Sequence, residues 1–142
     1  MQDIRSNKGF SVIELMIVIV ITGLLAAVAV PIYHKNVENA MRTEAIAGIA
    51  AIANELEIYY GEHGVYPISD RYRKVVGQNW NDIKPGELTG KYFADKKFRY
   101  RSYDGIEWRV RCGKSGVLEK NVWLDQSGTW KFDDDEDIPD DD

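Results

Sequence analysis

Lys8-Gly9-Phe10-Ser11-Val12-Ile13-Glu14 opens an apolar run that ends near Ile32, and from Phe10 to Ile32 the only ionisable side chain is Glu14. About 20 apolar residues, rising about 1.5 Å each along a helix, cross the hydrocarbon core of a bilayer. Residues 10–32 are therefore read as a membrane-crossing helix segment. A charge in hydrocarbon is costly, so a carboxylate placed there calls for a partner or a function.

Helical periodicity continues beyond Pro31. Ile46, Ile49, Ala53, Leu56 and Tyr60 recur at +3, +4, +3 and +4, which is one face of a helix. Glu38, Arg42, Glu44, Asn54, Glu55 and Glu57 decorate the remaining faces. Gly61, then Gly64 and Pro67, predict a stop near Tyr60. One helix from Phe10 to Tyr60 would be on the order of 75 Å long. Its first half is apolar nearly all round and suits lipid or other helices; its amphipathic second half, residues 33–60, needs a domain to lie against. Gly23 and Pro31 weaken the rod, because proline lacks a backbone donor and crowds the preceding turn. A kink in a membrane helix accounts for both on the simplest reading.

Residues 61–97 read as a long connection punctuated by Gly77, Pro85, Gly86 and Gly90. Trp80, Ile83, Leu88, Tyr92 and Phe93 are its candidate pins to the core. In residues 98–132, Phe98, Tyr100 and Ser102 alternate with Arg99, Arg101 and Tyr103, and Asp104-Gly105 offers a tight hairpin turn. Ile106, Trp108, Val110 and Cys112 form the next apolar face, opposite Glu107, Arg109 and Arg111. Val122-Trp123-Leu124, the turn Asp125-Gln126-Ser127-Gly128, and Thr129 to Phe132 give a second hairpin. The predicted class is α+β: a long N-terminal helix, its amphipathic half covered by an antiparallel sheet of three or four strands. Tyr59, Tyr60 and Trp108 are expected in the core of this head.

The formal charge of the 142-residue chain is −5, but eight of the ten residues from Asp133 to Asp142 are acidic, and without them the rest is +3. The acidity belongs to a tail, residues 133–142, expected to be solvated. No basic stretch of the kind that drives phosphate contacts stands out. Cys112 is the single cysteine, so no intrachain disulfide forms; its apolar strand position reads as core.

Lys8-Gly9-Phe10-Ser11 with Glu14 and the following apolar run resembles the class III signal of type IV pilins and type II secretion pseudopilins. The resemblance covers Lys8 to about Pro31. It implies that residues 1–9 are a leader cut between Gly9 and Phe10 by a prepilin peptidase, and that Phe10 is then N-methylated. Glu14 matches the family's assembly glutamate, which would neutralise the Phe10 terminus of a neighbouring subunit. Gly23 and Pro31 fall where the family's helix is commonly interrupted and unwinds in filaments. His63-Gly64-Val65-Tyr66-Pro67 is similar to a turn frequent in pseudopilins and minor pilins. The implied product is a structural subunit, major or minor, of a type IV pilus or pilus-like filament. It would sit as a single-pass protein of the inner membrane, with its head in the periplasm or outside, and be added to a homo- or hetero-oligomeric fibre by an inner-membrane platform.

A pseudopilin of a type II secretion system is the alternative, favoured by the missing disulfide and the Gly-x-Tyr-Pro turn. A third reading takes Ala27-Val28-Ala29 as a secretory cleavage site, leaving a soluble domain that starts at Val30; Glu14 and the length of the run speak against it.

Chemistry beyond assembly finds little foothold. HExxH, Walker, GxGxxG and CxxC patterns are missing, and His34 and His63 lack metal-ligand spacing to each other or to Cys112. Ser11 has no neighbouring base. The expectation is a protein without catalytic residues or cofactor. Asp125, Ser127, Asp133 and Asp134 offer hard oxygen ligands for calcium, and some major pseudopilins bind calcium in the corresponding part of the head. Asp125-x-Ser127-Gly128 is also an ordinary turn, the reading preferred on turn chemistry.

Overall fold

A computed structural model describes residues 9–133. The expected leader therefore lies outside the described residues except for Gly9, and the expected acidic tail except for Asp133. Helix α1 runs Val12–His63, and the chain divides into two compact units between Asn36 and Val37.

The first unit holds the apolar part of α1. Its large side chains are exposed on every side: Ile13, Leu15, Ile17, Val18, Ile19 and Leu25 all show half or more of their surface. A helix without a buried face within its own chain, this long and this apolar, meets the length and composition of a membrane span. Helical structure is continuous through Gly23 and Pro31. Thr22 satisfies its hydroxyl by donating to the Val18 carbonyl at 2.6 Å, a bond within the helix.

The second unit is the head. The buried stripe of α1 is Met41, Ala45, Ile49, Ile52 and Leu56. It shares Ile49 and Leu56 with the predicted face but is rotated from it. Ile46 and Ala53 lie at its border, and Tyr60 is 43% exposed. Small residues set the rotation: Gly48 lets the Phe98 ring approach so closely that a Cβ there would stand 2.4 Å from Phe98 Cε1. The helix also runs three residues, just under one turn, further than expected, to His63. Gly64, at φ +73°, is the left-handed residue that ends it, and its N–H donates to the Tyr60 carbonyl at 2.8 Å.

The sheet has five antiparallel strands in the order β1-β2-β3-β4-β5. They are β1 Ser69–Lys74, β2 Phe98–Ser102, β3 Arg109–Cys112, β4 Asn121–Asp125 and β5 Trp130–Asp133. The second to fourth fall within the predicted meander, and the fifth runs one residue past it, so Asp133, expected in the tail, belongs to β5. The first lies in the segment read as a loop, so the strand count exceeds the three or four expected. Its sequence, Ser-Asp-Arg-Tyr-Arg-Lys, has one apolar residue and no alternation to detect. The chain bends at Asp104-Gly105 but makes no tight hairpin turn there: β2 ends at Ser102, β3 begins only at Arg109, and Ile106 is 64% exposed rather than part of the apolar face. Asp104 holds this longer connection by accepting from the N–H groups of Ile106 and Glu107 at 2.9 and 3.0 Å.

Phe98, Tyr100, Val110, Cys112, Val122 and Leu124 point from the sheet to the helix stripe and are buried. Leu88 and Phe93 join them from the 61–97 connection, with Trp80, Ile83 and Tyr92 packed at the edge. Trp108 is in the core as expected. Tyr59 and Tyr60 are not; they stack instead on His63 and Tyr66, with centroids 4.0 and 4.7 Å apart.

Candidate assembly segment

The N-terminal segment is built around a short hydrogen-bond circuit. Glu14 Oε2 accepts from the Ser11 N–H at 2.8 Å, while Ser11 Oγ accepts from the Ile13 N–H at 3.3 Å. Ser11 precedes the first helical residue and Glu14 is the third residue inside, so the pair is a capping box satisfying donors that the helix cannot. The carboxylate also lies in the first turn, where the helix dipole favours negative charge. The Ser11-x-x-Glu14 spacing carries this signal in the sequence, unnoticed beside the question of a charge in an apolar run. Oε1 makes no hydrogen bond with the other described residues. Gly9 and Phe10 lie just outside the helix, Phe10 77% exposed. Lys8 is outside the described residues.

In the head, three of the acids expected to decorate the helix surface hold the 61–97 connection instead. Glu44 accepts from three successive backbone N–H groups, Lys91 at 3.0 Å, Tyr92 at 2.9 Å and Phe93 at 2.8 Å. Glu55 accepts from the Asp82 N–H at 3.2 Å, and Glu57 from the Tyr66 hydroxyl at 2.9 Å. Burial, together with the Glu57 bond, pushes the Tyr66 hydroxyl above its ordinary pKa. Nothing in the sequence marks Glu44, because its partners are main-chain groups more than forty residues away.

Of the oxygen ligands expected for calcium, Asp125 and Ser127 lie together in one turn and Asp133 lies apart from them. Asp125 Oδ1 accepts from the Ser127 and Thr129 N–H groups at 2.9 and 3.2 Å and from the Ser127 hydroxyl. Gly128, at φ +80°, closes the turn with a bond to the Asp125 carbonyl at 3.0 Å. Partial burial raises the Asp125 pKa, but these hydrogen bonds outweigh it and the net shift is downward. Asp133 pairs with Asn121 at the opposite end of the β4–β5 hairpin, where its carboxylate accepts from the Trp123 indole N–H. About 13 Å of strand separates the two sites at about 3.3 Å per residue, too far to share one ion. Asp134 lies outside the described residues. Among the described residues no three His, Cys, Asp or Glu side chains cluster. Cys112 is fully buried, and desolvation pushes its thiol up to about 12.

Comparison with known proteins bears on the N-terminal segment first. The prokaryotic N-terminal methylation motif matches residues 4–30. The chain is 38% identical over 71 residues to the type II secretion system core protein G of Vibrio cholerae serotype O1, covering 50% of this chain and 49% of that protein. It is 38% identical over 91 residues to the type IV major pilin protein PilE1 of Neisseria gonorrhoeae, covering 64% of this chain and 47% of the pilin. With a fimbrial protein of Neisseria meningitidis it shares 41% identity over 86 residues, 61% of this chain and 46% of that protein. The chain thus spans about half the length of the relatives it matches. The chain shares the methylation motif, and similarity over part of its length, with both type IV pilins and the type II secretion core protein G, and it has an apolar helix segment and an α+β head.

Proposed function

We propose that the chain is a structural subunit, major or minor, of a type IV pilus or pilus-like filament and has no catalytic role. One observation carries this reading: an all-round exposed apolar helix whose single carboxylate stands four residues after Phe10. On this reading prepilin peptidase cuts between Gly9 and Phe10, and Phe10 is N-methylated. Residues 10–32 anchor the subunit in the inner membrane until a platform there adds it to the fibre. Residues 33–132 form the head and 133–142 a tail. Two chemistries meet at Glu14. Oε2 keeps the cap on Ser11, and Oε1 remains to accept from the cationic Phe10 terminus of a neighbour. In hydrocarbon an unpaired ion is costly, so this pairing favours one axial register. Gly23 and Pro31 are the places where the helix is weakest against unwinding on packing.

Sequencing the mature N-terminus tests the reading. Methylated Phe10 supports it; a start at Val30 replaces it with the secreted soluble domain. The self-satisfied Asp125 turn needs no cation, so no metal or other cofactor belongs to the proposal. A rise in melting temperature with calcium that Asp125→Ala abolishes would overturn that part.

Membership of a type II secretion pseudopilus is the second reading. It draws on the likeness to core protein G and on the lone buried Cys112, which leaves no intrachain disulfide. Deleting the gene separates the two: loss of surface fibres indicates a pilus, and loss of protein secretion with fibres intact indicates a pseudopilus.

A further inference from the structure

Both ends of the exposed apolar stretch of α1 carry groups that need water or lipid headgroups. At the start, the first main-chain bond runs from the Leu15 N–H to the Ser11 carbonyl at 3.2 Å. The capping box takes up the Ser11 and Ile13 N–H groups, and among the described residues those of Val12 and Glu14 have no acceptor. A main-chain donor without an acceptor is costly in hydrocarbon, and so is the Glu14 carboxylate beside them.

At the other end, Tyr33, His34, Lys35 and Asn36 close the apolar run. Tyr33 is 68% exposed, Lys35 is exposed, and the His34 ring meets Tyr33 edge-on with centroids 6.3 Å apart. A tyrosine keeps its ring at the apolar boundary and its hydroxyl among headgroups, and a lysine carries its ammonium there on an apolar stem. Between Glu14 and Tyr33 the only polar side chain is Thr22, which the Val18 carbonyl satisfies. Tyr33 follows Glu14 by nineteen residues, about 28 Å of helix against a hydrocarbon core about 30 Å thick. A span counted from Phe10 to Ile32 would be about 33 Å long and would draw Glu14 about 6 Å into hydrocarbon.

We propose that Glu14 and Tyr33 are the two boundaries of the span. Tyr33 and Lys35 bind the headgroup layer on the head side and thereby hold Glu14, with its capping box, in the opposite headgroup layer. Residues 10–13 then lie among headgroups. Glu14 stays hydrated while the subunit waits in the membrane, and lifting the subunit carries it into hydrocarbon, where a neighbour's Phe10 terminus becomes its partner. The inference rests on the membrane-anchored filament reading and adds to it the depth at which the subunit is held.

Nitroxide labels on single cysteines placed at Val18, Ile21, Ala26 and Ala29 of the full chain test it, in vesicles of dioleoyl phosphatidylethanolamine and phosphatidylglycerol. The fully buried Cys112 stays unlabelled. Collision with oxygen relative to a water-soluble nickel chelate reports the depth of each label. The midpoint from Glu14 to Tyr33 falls between Gly23 and Leu24. Labels at Val18 and Ala29 should therefore be equally deep, and those at Ile21 and Ala26 equal to each other and deeper. Tyr33→Leu with Lys35→Leu moves the boundary to Asn36 and should make Ala29 deeper than Val18 by about 4 Å. Tyr33→Trp with Lys35→Arg should leave the profile as in the parent. Val18 deeper than Ala29 in the parent, the profile of a span over residues 10–32, would overturn the proposal. So would a profile that the leucine pair does not move. Should all four labels meet the chelate as freely as one at the exposed Glu119 of the head, the helix does not enter the bilayer, and the membrane reading itself falls with the proposal.

Discussion

Glu44 and Gly90 fit together with no room for another carbon. A Cβ on Gly90 would lie 2.4 Å from the Glu44 carboxyl carbon, while that carboxylate holds the N–H groups of Lys91, Tyr92 and Phe93. The connection after β1 is thereby tied to the helix through its main chain, and Phe93 is delivered into the core. A hydrogen bond to a charged group contributes about 1.5–3 kcal/mol, and these three share one partly solvated acceptor. Glu44→Ala in the detergent-solubilised chain is expected to cost about 2–4 kcal/mol in urea unfolding. Gly90→Ala should cost about 1–3 kcal/mol by forcing the carboxylate aside. The double variant should lose little more than Glu44→Ala alone, because both changes remove one interaction.

Gly48 is tied to Phe98 in the same steric way, but the contact is apolar. Phe98 is fully buried and its ring edge occupies the space a Cβ at Gly48 would need. Alanine is the better helix former by about 1 kcal/mol, so propensity alone predicts that Gly48→Ala stabilises. Overpacking of a fixed ring costs about 1–3 kcal/mol, and it wins here. The expected outcome is a lower melting temperature for Gly48→Ala, partly restored by Phe98→Leu, which shortens the side chain facing the new methyl.

Three aspartates give the head an acid limit. The Gly86 N–H at 2.6 Å, with the Thr89 hydroxyl at 2.9 Å, holds Asp95 below the usual carboxylate range. The N–H groups of Glu107 and Ile106 do the same for Asp104. Asp125 is lowered by its turn despite the opposing effect of burial. A depressed folded pKa stabilises fully above the unfolded value near about 3.9 and ceases to do so as pH falls through the folded value. Melting temperature should thus hold from neutral pH to about pH 5 and fall below about pH 4. Asp95→Asn should melt lower than the parent at pH 7 and converge with it near about pH 2. A constant difference across the range would show that Asp95 acts through something other than its charge.

Where apolar spacing carried the information, the fold was legible before any coordinates: the apolar run to Ile32, the helix beyond Pro31, and β2 to β5 with the Asp125–Gly128 turn. Spacing failed where burial is polar or one-sided. β1 buries Ser69 and Tyr72 among four charged residues, and Arg111, expected to face solvent, is 6% exposed because Tyr72 covers it. The helix face was misplaced because Ala45 and Gly48, the residues that admit the sheet, score as unremarkable in an apolar count. Glu44, Glu55 and Glu57 looked like a solvated surface, since no sequence pattern says which carboxylate will meet a main-chain N–H from a distant loop.

Glu14 unites two roles that a suitable pair of substitutions separates. As the third residue of a capping box it holds the Ser11 N–H, and its negative charge complements the helix dipole. As the partner of a neighbour's Phe10 terminus, it must supply charge. Glutamine keeps an oxygen that accepts from Ser11 but carries no charge, whereas alanine removes both. If capping were all that mattered, Glu14→Gln would assemble like the parent and Glu14→Ala would assemble poorly. Charge pairing predicts that both are inserted in the membrane and cleaved, and that both enter sheared filaments poorly. Capping adds a difference between them: helix ends lose about 0.5–2 kcal/mol with a missing cap. Amide exchange at Ser11 and Ile13 should therefore be faster in Glu14→Ala than in Glu14→Gln. Filaments from Glu14→Gln at parental yield would leave the carboxylate as a cap and dismiss the pairing.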